Sequence, residues 1–305
     1  MTFAPSGQQH EIGFEDQHAT IVEVGGGIRE YRVGDRDVLQ PYERDSMCDG
    51  AHGAPLIPWP NRLADGWYRF DGVDHQVALT EPDKHNAIHG FLHWRSWQPV
   101  ENRGDGLTMA TTLLPLEGYP FALEVQIDYR LGPGGLTVTI TTTNIGDRTA
   151  PYGCGQHPYL SPGEGPIDGC TIRMEADTRI LTDPQRKLPA GRETVTGTAY
   201  DFRAGTELGD LKIDHAFTDL HRDLDGRAWV HLTGTDGRTV QLWVDESYGL
   251  LELFTGDTLA PGRRRRGLGV EPMTCPPNAF QSGVQVTRLD SGHTATASWG
   301  VSLVD

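Results

Sequence analysis

Five segments carry the residues that could do chemistry. In Gly267-Leu268-Gly269-Val270-Glu271-Pro272-Met273-Thr274-Cys275-Pro276-Pro277-Asn278-Ala279-Phe280 a single carboxylate sits in an apolar stretch, with no Lys or Arg between residues 267 and 280. Partial burial there would raise the pKa of Glu271 and make it a usable general base; a structural carboxylate hydrogen-bonded to backbone fits the same segment. Gly153-Cys154-Gly155-Gln156-His157-Pro158-Tyr159-Leu160 seats His157 between permissive glycines and a rigid proline, a place that suits a general acid. Pro55-Leu56-Ile57-Pro58-Trp59-Pro60-Asn61-Arg62 fixes three φ angles just before an Asn-Arg pair. Arg62 then either presents a preset fork of donors to a ligand or pairs with an acid at a sheet edge. Asn86-Ala87-Ile88-His89-Gly90-Phe91-Leu92-His93-Trp94-Arg95-Ser96-Trp97 holds two histidines four apart. On a helix that spacing would suggest a metal, but Gly90 and the absence of a recognisable third ligand argue against one, leaving His89 as a ligand contact or a structural histidine. Asp214, in Asp214-His215-Ala216-Phe217, is a turn cap or a substrate contact.

The elements that must position these residues are strands. Leu136, Val138 and Ile140 alternate with Thr137, Thr139 and Thr141, the period of a half-buried strand. Val125, Ile127 and Tyr129 form a matching comb, and Gly132-Pro133-Gly134-Gly135 joins the two as a hairpin. The same grammar places Asp236-Gly237 between Val230–Leu232 and Val240–Val244, and Asp71-Gly72 between Trp67–Phe70 and His75–Leu79, with Asp-Gly suited to tight primed turns. No segment, Asp210 to Leu220 included, sustains helical spacing over several turns. With 38 Gly and 20 Pro spread along 305 residues, the chain is turn-rich. No repeat or linker divides it. The expectation is all-β: one large antiparallel β-sandwich over residues 1–305, with few short helices.

Charge and absent motifs narrow the function. Twenty-six basic against 42 acidic residues give a net charge of −16, the wrong field for nucleic acid. No apolar run is long enough to span a bilayer, and the N-terminus lacks the features of a secretory signal. Cys48, Cys154, Cys170 and Cys275 form no CxxC pair, which points to a reduced, cytoplasmic protein. Phosphate-binding loops, dinucleotide fingerprints, nucleophile elbows and HExxH are all missing. Trp59, Trp94 and Trp243 are open between core packing and stacking on a ligand ring.

Taken together, Asn61-Arg62, His89-Gly90, His157-Pro158-Tyr159, Asp214 and Glu271 with its trailing Pro277-Asn278-Ala279-Phe280 resemble the aldose 1-epimerase (galactose mutarotase-like) family, in order and spacing from about residue 55 to residue 280. The resemblance implies a large β-sandwich whose open face holds a sugar, with no cofactor and no metal. It implies that His157 is general acid and Glu271 general base, and that Arg62, His89 and Asp214 hold the sugar. The family's galactose enzymes usually carry a phenylalanine shortly after the acid histidine, where this chain reads His157-Pro158-Tyr159-Leu160; that departure bears on which sugar is bound rather than on the reaction.

In the implied reaction Glu271 takes the anomeric hydroxyl proton, His157 gives one to the ring oxygen, and the open aldehyde rotates and recloses. His157 should then be protonated at working pH, favoured by neighbouring carboxylates and a strongly acidic chain, and Glu271 ionised. Two rival readings stand beside this one. Arg263-Arg264-Arg265-Arg266 could serve a phosphorylated, sulfonated or other anionic sugar, or could be a solvated run. A catalytically silent carbohydrate-binding protein would use the same fold without needing an acid–base pair.

Overall fold

Alternating side chains give a strand two faces, and burial follows that alternation closely. The computed structural model describes residues 4–305. In strand Leu123–Gly132, Leu123, Val125, Ile127, Tyr129 and Leu131 are buried while Glu124, Gln126 and Arg130 face solvent. Its partner Gly135–Asn144 pairs antiparallel from Gly132 opposite Gly135, so the expected hairpin forms. These strands belong to a nine-stranded sheet that continues through Thr294–Val304, Thr239–Val244 and Ala228–Thr233. A twelve-stranded sheet runs from Gln9–Phe14 through Arg36–Leu39, Tyr159–Leu160, Leu268–Met273, Leu250–Phe254 and Asp214–Leu220 to Pro189–Thr194. Helix is confined, among the described residues, to Ala279–Ser282 and three 3₁₀ turns. No helix of the described residues is long and apolar enough to cross a membrane.

Two turns differ in detail from their sequence reading. Asp71 and Gly72 both take positive φ, 48° and 79°, as a tight primed turn requires, but the second strand starts at once, as Val73–Gln76, and ends before Leu79. At Asp236-Gly237 only Gly237 is left-handed, and Gly234 N–H donates to the carbonyl of Arg238, so the loop is wider than a two-residue turn.

The two large sheets share one apolar core. Val125, Ile127, Val138, Leu242 and Trp299 from the smaller sheet meet Ile21, Leu251, Leu253, Leu268 and Val270 from the larger, all essentially inaccessible to water. One buried polar knot pins the sheets in register: Trp299 Nε1–H donates to Gln156 Oε1 at 3.0 Å, and Gln156 Nε2 donates to Tyr129 Oη at 3.3 Å and to the Gly53 carbonyl at 3.2 Å. Because Gln156 points into the core, its neighbour His157 must point to the opposite face of the twelve-stranded sheet.

Backbone crowding holds the loop after His89. Gly90 has φ +65°, and a Cβ there would sit 2.0 Å from the Ile57 carbonyl oxygen, which accepts from Phe91 N–H. Gly90→Ala is therefore expected to destabilise the protein by at least about 1–3 kcal/mol, read as a lower urea midpoint at unchanged slope.

Candidate active site

The larger sheet builds the site by parity. In Leu250–Phe254, Leu251 and Leu253 enter the core, which leaves Leu250, Glu252 and Phe254 on the far face. Leu268 and Val270 likewise enter the core, leaving Gly269, Glu271 and Met273 beside them. Glu252 lies directly opposite Glu271, and Ala216 opposite Glu252. On the other side of Leu268–Met273, Gly155 pairs with Met273 and Tyr159 with Gly269, and this common register sets His157 across from Glu271. One rung thus reads Ala216, Glu252, Glu271, His157. At its end His157 Nε2 lies 3.1 Å from Glu271 Oε1, both side chains nearly inaccessible.

The imidazole plane is fixed by stacking. The His157 ring stacks on Tyr159 at 4.8 Å, and Tyr159 on His52 at 4.6 Å, both close to parallel. His89 approaches from the loop side, its ring 5.5 Å from that of His157 and edge-on to it. Asn61 and His89 both adopt left-handed backbone, φ 56° and 63°. Asn61 N–H donates to His89 Nδ1 at 3.2 Å, which leaves the ring proton of neutral His89 on Nε2. Burial keeps His89 neutral, pushing its pKa well below the usual range, with His157, His93 and Arg62 adding to the effect.

Arg62 pairs with an acid and also borders the cavity. It grips Glu81 with two donors, Nε at 2.9 Å and Nη2 at 3.1 Å, and it lines the same cavity as His89. Burial pushes Glu81 up, but Arg62 and Lys84 outweigh it and bring its pKa to about 2. Asp214 stands at the first position of its strand, 3.4 Å from Lys187 Nζ. The cavity, about 340 Å³, is within the range of small-molecule sites and brings together all five residues singled out by sequence: Arg62, His89, His157, Asp214 and Glu271. Lys84, Lys187 and Phe254 also line it and carried no sequence signal of their own. Glu252 did carry one, an acid inside the apolar run Leu250-Leu251-Glu252-Leu253-Phe254, the same kind of signal that marks Glu271.

Trp94 is half-exposed at the cavity wall, Trp59 is buried against Phe91 and Phe280, and Trp243 lies under the Arg227 guanidinium, away from the cavity. The arginine run does not reach the cavity. Arg263 pairs with Asp49 and contacts His52 Nδ1, Arg265 is held by Asp168, Asp257 and two carbonyls, and Arg264 and Arg266 are exposed. All four cysteines are free thiols.

The protonation state corrects the sequence expectation. Burial drives the His157 pKa down to about 3, with His52 and His93 contributing, and overrides the long-range field of an acidic chain. Burial also raises Glu271 to about 8; Asp214 pushes the same way and Arg62 only partly opposes. At neutral pH burial therefore favours one proton for the pair, on the carboxyl rather than the imidazole. His89, His157 and Glu271 place one donor atom each within 4.8 Å of one another, the donor set that a metal could use. Such a metal would consume the lone pairs that a proton-transfer role needs.

The comparisons with known proteins follow this geometry. A model of the family "Aldose 1-epimerase" matches residues 8–302. The chain belongs to the aldose 1-epimerase family. Its relatives within that family include the uncharacterized protein YihR of Escherichia coli strain K12, 36% identical over 288 residues covering 94% of this chain and 90% of YihR. Human galactose mutarotase is 32% identical over 166 residues, 52% of this chain and 46% of that protein. Among solved structures, the GalM/aldose epimerase homologue of C. elegans superposes with a TM-score of 0.85 at 17% identity over 97% of this chain and 98% of that one. Galactose 1-epimerase from Lactobacillus acidophilus gives 0.78 at 17% identity, over 98% and 99%. The structural likenesses establish the fold of the family's members in this chain.

The raised carboxyl makes a stability prediction with a definite sign. Glu271 binds its proton more tightly folded than unfolded, so its contribution is full below about pH 4.5 and is lost as pH rises toward 8. His157 acts at lower pH: its depressed value costs stability as pH falls from about 6.5 toward 3. Glu271→Gln removes only the first dependence. The melting temperature of the variant minus that of the parent is expected to rise steadily between pH 5 and 8; a flat difference would mean that Glu271 titrates normally.

Proposed function

We propose that this protein is a mutarotase, an aldose 1-epimerase that interconverts the α and β anomers of an aldohexose by ring opening and reclosure, with His157 and Glu271 as the proton-transfer pair. The observation that carries the reading is their 3.1 Å contact, dry and aimed at one cavity, since binding alone has no use for a matched acid and base. Arg62, His89 and Asp214 are the sugar-holding residues. A ring hydroxyl can accept from His89 Nε2–H or Arg62 and donate to Asp214, which fixes the pyranose over the pair.

The two tautomers of the one-proton pair correspond to the two halves of the reaction. With carboxylate on Glu271 and imidazolium on His157, the pair fits the ring form. Glu271 accepts the O1–H proton as the C1–O5 bond breaks, and His157 gives its proton to O5. The products are an open-chain aldehyde, a neutral imidazole and a protonated Glu271, which is the distribution that burial favours. Rotation about C1–C2 then presents the other face of the aldehyde. O5 attacks C1, its proton returns to His157, and Glu271 protonates the carbonyl oxygen, restoring the starting pair. Proton transfer across the 3.1 Å contact converts the carboxyl-protonated tautomer into the ring-binding one. Each positioned acid or base is worth about 10²–10⁴ in rate, which suffices for a reaction with two proton transfers and one C–O bond.

The whole chain acts in this reading as one sandwich domain, and its four free cysteines favour the cytoplasm. A second reading, an epimerase of anionic sugars, is favoured by one observation: Lys84 and Lys187 line the cavity, although the arginine run does not. Each lysine is paired with an acid, Glu81 or Asp214, so both charges are already partly matched.

Polarimetry of fresh α-D-glucose and α-D-galactose is expected to show accelerated mutarotation, indifferent to a chelator, that Glu271→Gln or His157→Asn reduces by about 10²–10⁴-fold. Near-parental rates in both variants would refute the pair, and tight sugar binding without acceleration would make the protein a binding module. If the substrate is anionic, Lys84→Ala and Lys187→Ala should raise KM for glucose 6-phosphate about tenfold more than for glucose, the worth of roughly one charge-assisted hydrogen bond. Equal effects on the two sugars would assign a neutral substrate.

A further inference from the structure

Glu252 is absent from the roles assigned above, and its surroundings are unusual for a carboxyl. It lies on the rung between Ala216 and Glu271, only 2% exposed, and its Oε2 is buried with no hydrogen-bond partner. No protein N–H or O–H among the described residues donates to it. On one side it abuts a small apolar cluster of Ile180, Ala216, Leu250 and Met273. A carboxylate placed there would carry an uncompensated buried charge beside a second carboxyl. Glu271 has the complementary deficiency: Oε1 faces His157, while Oε2 is buried and unpartnered. Directly opposed residues of an antiparallel pair stand about 5 Å apart at Cβ, well within reach of two glutamate side chains. One proton held between them would satisfy both orphaned oxygens.

We propose that Glu252 is a positioning residue of the proton-transfer pair, held as the neutral acid beneath the sugar cavity and donating its hydroxyl to Glu271 Oε2. This inference rests on the reading of Glu271 as the base. The bond leaves Oε1 as the one free basic atom, directs it at His157 and the sugar, and steadies the carboxylate form of Glu271 without adding a charge. The charged groups that face Glu252 are Glu271 and Asp214, on the neighbouring strands to either side, and Arg62 and Lys187 from outside those strands. Burial, then Glu271 and Asp214, outweigh the two cations and raise the Glu252 pKa well above the ordinary range, in keeping with a carboxyl that stays protonated while its neighbour titrates.

Two measurements test this, and only one depends on the protein being a mutarotase. Infrared spectra should show a protonated-carboxyl C=O band persisting above pH 8 in the parent and in Glu271→Gln, and absent from Glu252→Gln. Failure to find a band that Glu252→Gln removes would overturn the proposal whatever the activity. In mutarotation, Glu252→Ala should lower kcat about 10- to 100-fold, the loss of a hydrogen bond to a charged group, and shift the acid limb of kcat to higher pH. Glu252→Gln, whose amide still donates, should recover most of that loss with the limb near its parental position. If Glu252 is instead ionised, Glu252→Gln removes a negative charge and the limb moves down by about one unit or more; that result, or an unchanged Glu252→Ala, refutes the assignment. Should mutarotation be undetectable in the parent while the infrared band behaves as stated, the carboxyl pair stands and the enzyme reading falls.

Discussion

A single contact between two buried ionisable groups, His157 Nε2 and Glu271 Oε1 at 3.1 Å, sets the demands on the rest of the molecule. In water an imidazole and a carboxyl differ by about two units in favour of the imidazole. Burial lowers the one and raises the other, since each loses the solvation of its charged form. Together the two shifts reverse the order the groups have in water and favour the proton on the carboxyl. That reversal requires a dry site, and in a chain of net charge −16 it shows that local desolvation decides the matter over the distant field.

A dry site on the outer face of a sheet is not automatic. The twelve-stranded sheet reaches it by using each strand twice: Leu251, Leu253, Leu268 and Val270 fill the core between the sheets, and the intervening positions build the floor of the cavity. A slip of one residue in either strand would exchange the two sets and put carboxyls into the core. Gln156 guards against that slip at His157, because its amide is committed to Trp299, Tyr129 and the Gly53 carbonyl inside the core. The same bonds that tie the two sheets together therefore aim the imidazole.

The sequence makes the fold class legible because period-two alternation and turn chemistry are local properties; the Leu123–Asn144 hairpin can be read residue by residue. The five site residues are legible for a related reason. Arg62, His89, His157 and Glu271 each sit near Gly or Pro whose presence is otherwise hard to explain; Asp214 does not, and stands out only through the family's order and spacing. The charge state of His157 is not legible, since it depends on how deeply the loops of residues 50–62 and 86–94 cover the sheet, which is a matter of tertiary packing. Lys84 and Lys187 escape for the same reason: a 3₁₀ turn and a hairpin tip meet there through Arg186, which donates to the carbonyls of Lys84 and His85. The run Arg263–Arg266 is the converse case, conspicuous in sequence and spent in the structure on loop ion pairs.

The cavity wall is close to electrically balanced, and that balance has a chemical reason. Arg62 lines the cavity, yet an unopposed guanidinium beside Glu271 would pull its pKa back down against the effect of burial. Glu81 opposes that charge through a two-point bond with Arg62, and Lys84 in turn pairs with Glu81. Asp214 acts in the opposite sense, raising Glu271, while Lys187 tempers Asp214. The flanking ion pairs thus leave strong hydrogen-bonding groups around the cavity while burial keeps Glu271 raised. A carboxyl kept raised in this way is what the proposed proton-transfer role calls for.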